Sequence, residues 1–217
     1  MTSISGFAET LLSTDLDDET LNKKFITIIY NEAQRMARLI KDLLQLAKLD
    51  SQEYCDQLTI EPIDCRHILT IAKDKLKQQS AAKAQNVELC LPPRPTIAAA
   101  NTDLLLQLII NITENAIKYT PAGGHIQLSC SSDDQNIQIR VKDDGIGIAP
   151  ADLPFVFDRF YRTDKARART SNTSGSGIGL SLAKFIVEMF GGKISVTSQL
   201  QQGTEFIIDL PQIPLDN

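Results

Sequence analysis

The stretch from Asn101 to Tyr119 places the strongest constraint on the fold, because its two faces suit different surroundings. A helix advances about 100° per residue, so residues three or four apart share one face. One face is apolar and predicts packing on a hydrophobic core; it comprises Leu105, Ile109, Ile112 and Ala116. The opposite face is polar and comprises Asn111, Glu114, Asn115 and Lys118, with Tyr119 at its edge. The pattern favours a helix that covers a core and leaves a polar row accessible.

The polar row admits two interpretations. A solvated helix face explains the charges, but Asn111 and Asn115 add no charge and lower the helix propensity. An amide oxygen suits Mg²⁺, which takes few protein oxygens and keeps several waters. The ammonium of Lys118 suits a phosphate, and the ring of Tyr119 suits the flank of a base. We therefore interpret the row as a site for a nucleotide with its metal, with a solvated face as the alternative.

A glycine turn follows a predicted strand in the segment VKDDGIGIAP, residues 141–150. Gly145 and Gly147 allow the backbone to turn sharply and to approach a ligand closely. The carboxylate of Asp143 can accept a hydrogen bond from an exocyclic amine, such as that of adenine. A strand that ends in an ordinary glycine turn is the alternative.

A second glycine segment, GSGIGL at residues 175–180, precedes an apolar helical run. Gly175, Gly177 and Gly179 would expose backbone amides to an anion at the helix N-terminus. The spacing matches neither the P-loop nor the Rossmann fingerprint, so a flexible turn is the alternative. The aromatic and then basic stretch between the two glycine segments is long enough to predict a lid, with a disordered loop as the alternative.

Composition limits the class of protein. The chain has 217 residues and a net charge of −5, which argues against a non-specific nucleic-acid binder. Its four cysteines form no CxxC pair and no zinc spacing, so we expect reduced thiols in a cytosolic setting. No apolar run reaches the roughly 18 residues that span a bilayer, and no signal peptide opens the chain. These features predict a soluble, cytoplasmic polypeptide without a membrane segment.

The N-terminal part of the chain predicts two helices, over residues 3–13 and from Thr20 to Lys48. Apolar residues recur along the second helix at intervals of three to five: Leu21, Phe25, Ile28, Ala33, Met36, Ile40, Leu43 and Ala47. A hairpin cannot bury such a face alone, but two copies paired into a four-helix bundle would bury it. We therefore expect a dimerisation hairpin over residues 1–52, with packing onto its own domain as the alternative.

A second domain is expected over residues 58–213, after a linker that Pro62 marks. Strand and helix patterns alternate: strands at 58–63 and 87–91, helices at 64–84 and 101–119, two alternating strands, a helix near 178–190 and a final hairpin. This order predicts an α+β fold, namely an α/β sandwich with helices on one face of a mixed sheet.

Four segments, taken together, resemble the catalytic ATP-binding domain of the sensor histidine kinases of two-component systems, which is of the GHKL type. NITENAIKYT is similar to the family's N box, VKDDGIGIAP to its G1 box, FVFDRFYR to its F box and GSGIGL to its G2 box. The hairpin resembles the family's dimerisation and phosphotransfer element, and TSISGFAETLL is similar to kinases of the phosphate-sensing type. The resemblance implies ATP and Mg²⁺ as cofactors, a homodimer through the hairpin, and a response regulator as partner.

The resemblance also implies roles for residues on the predicted helix and lid. Asn115 would hold Mg²⁺, with Asn111 beside it, and Tyr119 would flank the nucleotide. Lys118 would meet phosphate, and Arg162, which closes the F box, would reach the γ-phosphate. Lys118 and Arg162 are therefore the expected catalytic residues.

The glycine segments receive roles from the same resemblance. Asp143 would read the adenine amine from the turn that Gly145 and Gly147 form. The residues expected to fold over the phosphates are Gly175, Gly177 and Gly179, with the amide of Leu180 nearby.

Two departures from the family's pattern bear on activity. Hydrolytic relatives such as gyrase carry a general-base glutamate where this chain has Asn111, and an amide cannot act as a base. The resemblance therefore implies phosphoryl transfer, with a GHKL-type ATPase or an inert dimerisation module as alternatives. The family's phosphoacceptor histidine lies in a box before a phrase like TSISGF, which here follows Met1, and neither His67 nor His125 matches that motif. We expect a kinase core with a truncated hairpin, unable to autophosphorylate, from a parent protein anchored in a membrane.

Overall fold

The computed structural model describes residues 2–13, 19–49, 51–133, 136–162 and 177–212. The helices are α1 (Thr2–Ser13), α2 (Glu19–Leu49), α3 (Gln52–Asp56), α4 (Cys65–Ala81), α5 (Thr102–Tyr119) and α6 (Gly179–Met189). The strands are β1 (Glu61–Asp64), β2 (Asn86–Cys90), β3 (Ile97–Ala100), β4 (His125–Ser132), β5 (Asn136–Asp143), β6 (Lys193–Gln199) and β7 (Gly203–Pro211). Within the described ranges, none of the helices combines the length and the apolar character that a membrane span requires.

The two N-terminal helices contact each other along the chain's first fifty or so residues. The rings of Phe7 on α1 and Phe25 on α2 lie with their centroids 5.2 Å apart. Near the other end of α2, Leu46 and Leu49 are buried and belong to the same hydrophobic core as the following domain. Ile40 and Leu43, which the predicted stripe includes, are 55% and 43% exposed. The end of α2 thus packs through a face next to the predicted stripe, because the following domain covers that face.

A mixed five-stranded sheet forms the centre of the second domain, in the order β2-β4-β5-β7-β6. β2 pairs with β4 in parallel, and the other neighbours are antiparallel. Buried residues alternate with more exposed ones along β4 and β5, so one face of the sheet is covered. The predicted α+β sandwich with a mixed sheet is confirmed.

The helix α5 connects the layers of the domain, since it contacts α4, α6 and β5. It begins after Asn101, whose side-chain oxygen accepts a hydrogen bond from the Leu104 amide over 3.2 Å. All four residues of its predicted apolar face are buried: Leu105, Ile109, Ile112 and Ala116. The polar row of α5 therefore faces away from the sheet.

Two elements differ from the sequence-based expectation. The linker contains a short helix, α3, in which the Cys55 thiol donates to the Leu49 carbonyl over 3.1 Å. The strand β3 is not predicted, because isoleucine followed by three alanines shows no alternation. It forms a separate antiparallel pair with β1, in which buried Ile63 lies opposite buried Ala98. Tertiary pairing, rather than local propensity, makes this segment a strand.

Candidate nucleotide site

The last two turns of α5 carry most of the polar row. Asn115, Lys118 and Tyr119 are half-buried. Within the described part of the chain, the side-chain amide of Asn115 has no hydrogen-bond partner. Glu114 is exposed and accepts a hydrogen bond from Gln79 of α4 over 3.4 Å. The carboxylate of the row is thus directed to α4, whereas the Asn115 amide oxygen stays available to a ligand.

Asn111 links α5 to the start of α6. Its side-chain oxygen accepts a hydrogen bond from Gln107 over 2.7 Å, and its side-chain nitrogen donates to the Gly179 carbonyl over 3.3 Å. Leu180, the next residue, is partly buried against the core. These contacts bring Gly179 to the polar row, and they occupy the amide of Asn111 with other protein groups.

Lys118 lies in a cluster of positive charge. The pKa of its ammonium is lowered to about 8, first by burial and then by the nearby charges of Arg162 and Arg38. Its Nζ atom lies 4.8 Å from the centroid of the Tyr119 ring. A bound polyanion would counter each of these unfavourable effects on the charged form. Sequence patterns miss Arg38, because it belongs to α2 and reaches the site only through the packing of the hairpin on the domain.

Asp143 ends β5 in a buried position, with 6% of its surface exposed. Burial raises the pKa of its carboxyl to about 6, although hydrogen bonds from the amides of Gly145 and Thr204 oppose this. The Gly145 amide donates to Oδ1 over 2.8 Å. A carboxylate offers about four acceptor positions, so two amide donors leave capacity for a ligand amine.

Gly145 and Gly147 allow a close contact between the turn after Asp143 and its neighbours. A Cβ atom at Gly145 would lie 2.7 Å from the carbonyl oxygen of Tyr119. Gly147 has a φ of +67°, and a Cβ atom there would collide with the Gln199 carbonyl. Gly145 thus allows the Asp143 turn to pack against the end of α5, and Gly147 allows it to pack against the end of β6. We predict from sequence only their approach to a ligand; the structure adds this packing role.

The aromatic segment after the turn is attached to the domain by side-chain contacts. The Phe157 and Phe206 rings meet edge to face with centroids 6.2 Å apart, and the Tyr161 hydroxyl donates to Asp152 over 2.6 Å. Arg162 follows directly and lies near enough to Lys118 to affect its charge. The structure therefore brings Arg162 to the polar row.

Phe160 and Gly177 contact each other on either side of the predicted lid, whose residues 163–176 lie outside the described ranges. The Phe160 amide donates to the Gly177 carbonyl over 2.9 Å. Both residues have positive φ, +66° and +76° respectively, and a Cβ atom at Gly177 would lie 3.1 Å from the Phe160 backbone. Gly175 of the predicted site lies outside the described residues.

Two open cavities of about 260 and 330 Å³ adjoin the site, and both include Lys142 and Asp143 in their lining. They lie at the end of the sheet where β4, β5 and the β6–β7 turn meet. Neither is lined by Asn115 or Lys118, so both are distinct from the polar row.

Two family models match the chain in succession. The model of the histidine kinase-, DNA gyrase B- and HSP90-like ATPases matches residues 100–214, and that of the His Kinase A (phospho-acceptor) domain matches residues 1–52. Sensor histidine kinase WalK of Bacillus subtilis (strain 168) is 37% identical over 215 residues, which cover 97% of this chain and 34% of WalK. The chain spans about a third of the length of the curated relatives it matches.

Solved structures show the same arrangement of hairpin and domain. Full-length ShkA in complex with AMPPNP superposes with a TM-score of 0.75 at 25% identity, over 99% of this chain and 43% of ShkA. Histidine kinase ThkA in complex with response regulator protein TrrA superposes with a TM-score of 0.78 at 23% identity, over 98% of this chain and 57% of ThkA. Since the two family models cover the hairpin and the ATPase domain in chain order, the chain belongs to the sensor histidine kinases of two-component systems.

Proposed function

We propose that the chain is an ATP-binding kinase core that transfers the γ-phosphate of ATP to a histidine. The observation that carries the proposal is the meeting of Lys118 and Tyr119 with the Asp143 turn on one side and Arg162 on the other. An acceptor for an amine, an aromatic flank and a group of cations lie side by side, in the order that adenine and a polyphosphate require.

The Asp143 turn is the proposed adenine end of the site. Its carboxylate accepts a hydrogen bond from the exocyclic amine, and the Tyr119 ring flanks the base. The buried position of Asp143 gives this contact selectivity, since a ligand without the amine leaves a buried carboxylate short of a donor.

The cations Lys118 and Arg162 form the proposed phosphate end, and Arg38 adds to the positive field. Binding of the phosphates compensates the burial of the Lys118 ammonium and its proximity to the two guanidinium groups. Arg162 acts on the γ-phosphate, where charge is redistributed during transfer.

Asn115 is the proposed protein ligand of Mg²⁺, which would neutralise charge on the phosphate oxygens. The residue fits this role, because its half-buried neutral amide has no protein partner in the described ranges and lies one turn from Lys118. The amide of Asn111 is held by Gln107 and Gly179. We therefore assign Asn111 to the placement of α6 beside the nucleotide.

The polar row has no group placed to activate water within the described residues, which supports transfer of the γ-phosphate rather than hydrolysis of ATP. Asn111 cannot take a proton from water. Glu114 is exposed and hydrogen-bonded to Gln79, so it is directed away from the proposed phosphates. An ATPase of the GHKL type remains the second candidate function, and an inert dimerisation module the third.

The phosphoacceptor is proposed to be a histidine outside these 217 residues. Both histidines present are exposed and lie in the second domain, His67 on α4 and His125 at the start of β4. Neither lies on the hairpin. We expect no acid-labile label on this chain after incubation with ATP labelled at the γ-phosphate; label retained on either histidine would contradict this expectation.

The hairpin is the proposed site of homodimerisation and of contact with a response regulator. ThkA, whose fold superposes on this chain, was solved in complex with the response regulator protein TrrA. Exposed apolar residues on α2 follow alternating steps of four and three: Ile26, Tyr30, Ala33, Ala37, Ile40, Leu44 and Ala47. This is the spacing of a heptad interface. We call these seven residues the α2 seam and propose that it packs against a second copy.

Titration calorimetry with AMPPNP, with and without Mg²⁺, tests the proposed function. Mg²⁺ should raise the AMPPNP affinity of the unsubstituted protein at least about tenfold. It should not change the AMPPNP affinity of Asn115→Ala. Asn136→Ala, at an exposed asparagine of β5, is the matched control and should keep the Mg²⁺ effect. If the unsubstituted protein does not bind AMPPNP, the proposed function is wrong.

A further inference from the structure

The C-terminal end of α5 is held by a lysine from the turn between α4 and β2. The Lys83 ammonium donates to the carbonyl oxygens of Ile117, Lys118 and Thr120 over 2.7, 2.9 and 3.3 Å. The last carbonyls of a helix have no partner within the helix, so these groups require donors from elsewhere. An ammonium has three donors and a charge that complements the helix dipole at this end.

Gln85 supports the same end of α5 from a buried position. Its side-chain nitrogen donates to the carbonyl oxygens of Ile117, Thr120 and Pro121 over 3.0, 2.7 and 3.3 Å. Its backbone amide is in turn held by the Ser80 carbonyl over 3.0 Å. The turn that presents Lys83 and Gln85 is thus fixed to α4.

Every carbonyl from residue 117 to residue 120 has a donor outside the helix ladder. Lys83 and Gln85 bind three of the four, and the Ile146 amide binds the fourth, that of Tyr119, over 3.2 Å. An ordinary helix end needs fewer donors from other parts of the protein, since a glycine cap or water satisfies these carbonyls. The extra support falls on the turn that presents Lys118 and Tyr119 to the nucleotide site.

The Lys118 side chain gives a reason for this support. Its ammonium is half-buried and lies near the positive charges of Arg162 and Arg38, so without a ligand its charged form is disfavoured in this position. The fixed backbone of the last turn and the contact with the Tyr119 ring keep it in the site. A looser helix end would let Lys118 move away before a phosphate arrives.

We propose that Lys83 is a positioning residue for the phosphate end of the nucleotide site, acting through the backbone carbonyl of Lys118. The proposal rests on the proposed function, because it presumes that Lys118 meets phosphate. The side-chain hydrogen bonds from Lys83 to Ile117, Lys118 and Thr120 end on the turn that carries Lys118, so the loss of Lys83 should affect the phosphate end more than the adenine end.

Comparison of ATP with AMP tests the proposal, because AMP retains the adenine but lacks the β- and γ-phosphates. Dissociation constants for both, with Mg²⁺, are measured by NMR titration, which covers micromolar and millimolar values. Lys83→Met should weaken ATP binding by about tenfold and AMP binding by less than about twofold. Lys83→Arg should recover most of the loss, and Lys75→Met, at an exposed lysine on α4, should change neither value.

The outcomes separate this proposal from the one on which it rests. If the unsubstituted protein fails to bind ATP, both fall. If the unsubstituted protein binds ATP, two results overturn the positioning role alone: Lys83→Met weakens the binding of ATP and AMP equally, or it weakens the binding of neither. Should Lys83→Met fail to fold, Lys83→Gln replaces it, since its amide keeps part of the hydrogen bonding but lacks the charge and the third donor. We then expect a smaller loss that is still confined to ATP, and equal changes for ATP and AMP overturn the positioning role.

Discussion

The backbone amide of Ile146 donates a hydrogen bond to the carbonyl oxygen of Tyr119 over 3.2 Å. This bond joins the turn after Asp143 to the last turn of α5. The proposed adenine acceptor and the proposed phosphate ligand Lys118 are therefore held in register by main-chain contacts. A site fixed in this way loses little conformational freedom on binding, which favours affinity.

Gly147→Ala should show that the turn is shaped by packing as well as by φ. The added Cβ atom would collide with the Gln199 carbonyl at a residue whose φ is +67°. We expect the free energy of unfolding to fall by about 2–4 kcal/mol, from backbone strain and overpacking together, as measured by urea denaturation. Gly123→Ala is the matched control, because its φ is +78° but nothing lies within 4 Å of the added atom.

The control isolates strain from collision. Gly123→Ala should cost only about 1 kcal/mol, since strain is its one penalty. Equal losses at Gly147 and Gly123 would mean that the contact with Gln199 relaxes easily, and would contradict the packing role.

Local patterns in the sequence predict the elements that carry the site. The 3.6-residue period of α5 predicts both its buried face and its polar row, and a DxGxG spacing predicts the turn after Asp143. The contributions of three residues to the site cannot be predicted from local patterns, because each reaches α5 from an element distant in sequence: Arg38, Lys83 and Gln85. β3 cannot be predicted for the same reason, since only its pairing with β1 makes it a strand. The roles of individual site residues, the domain boundaries and the phosphate-sensing type remain predictions.

Asp143→Asn should separate binding from stability. The pKa of Asp143 is raised from the ordinary 3.8 to about 6, so the folded state retains this proton to a higher pH than the unfolded state. The stability from this group is present below pH 3.8 and is lost as the pH rises through about 6. The ionised carboxylate therefore destabilises the protein at pH 7.5, and asparagine removes that effect while it keeps an oxygen for the Gly145 amide.

For Asp143→Asn at pH 7.5 we expect an unchanged or higher Tm by scanning fluorimetry. Calorimetry should show AMPPNP affinity lower by at least about tenfold, because the amide no longer offers a charged acceptor. Asp74→Asn, at an exposed aspartate of α4, should change neither quantity. A lower Tm would contradict the destabilising effect of the buried carboxylate, and an affinity equal to that of the unsubstituted protein would count against the adenine role.

ATP binding at pH 8 should take up protons through Lys118. Since its pKa in the free protein is about 8, roughly half of the Lys118 side chains are uncharged at that pH. Bound phosphate restores the charged form, so about half a proton should be taken up per ATP. Calorimetry in two buffers of different ionisation enthalpy measures this number. Lys118→Met should abolish the uptake and Lys75→Met should retain it; ATP binding to the unsubstituted protein without uptake would contradict the phosphate role.

Leu44→Glu in the α2 seam should dissociate the proposed dimer. Ile26, Tyr30, Ile40 and Leu44 are between 55% and 60% exposed in the single chain, so a partner would bury a continuous apolar stripe. A carboxylate within this stripe would be buried without a counter-charge. Light scattering after size-exclusion chromatography should therefore give a monomer for Leu44→Glu and a dimer for the unsubstituted protein. Lys24→Glu, on the opposite side of α2 by helical geometry, should stay dimeric; a dimer that survives Leu44→Glu would place the interface elsewhere.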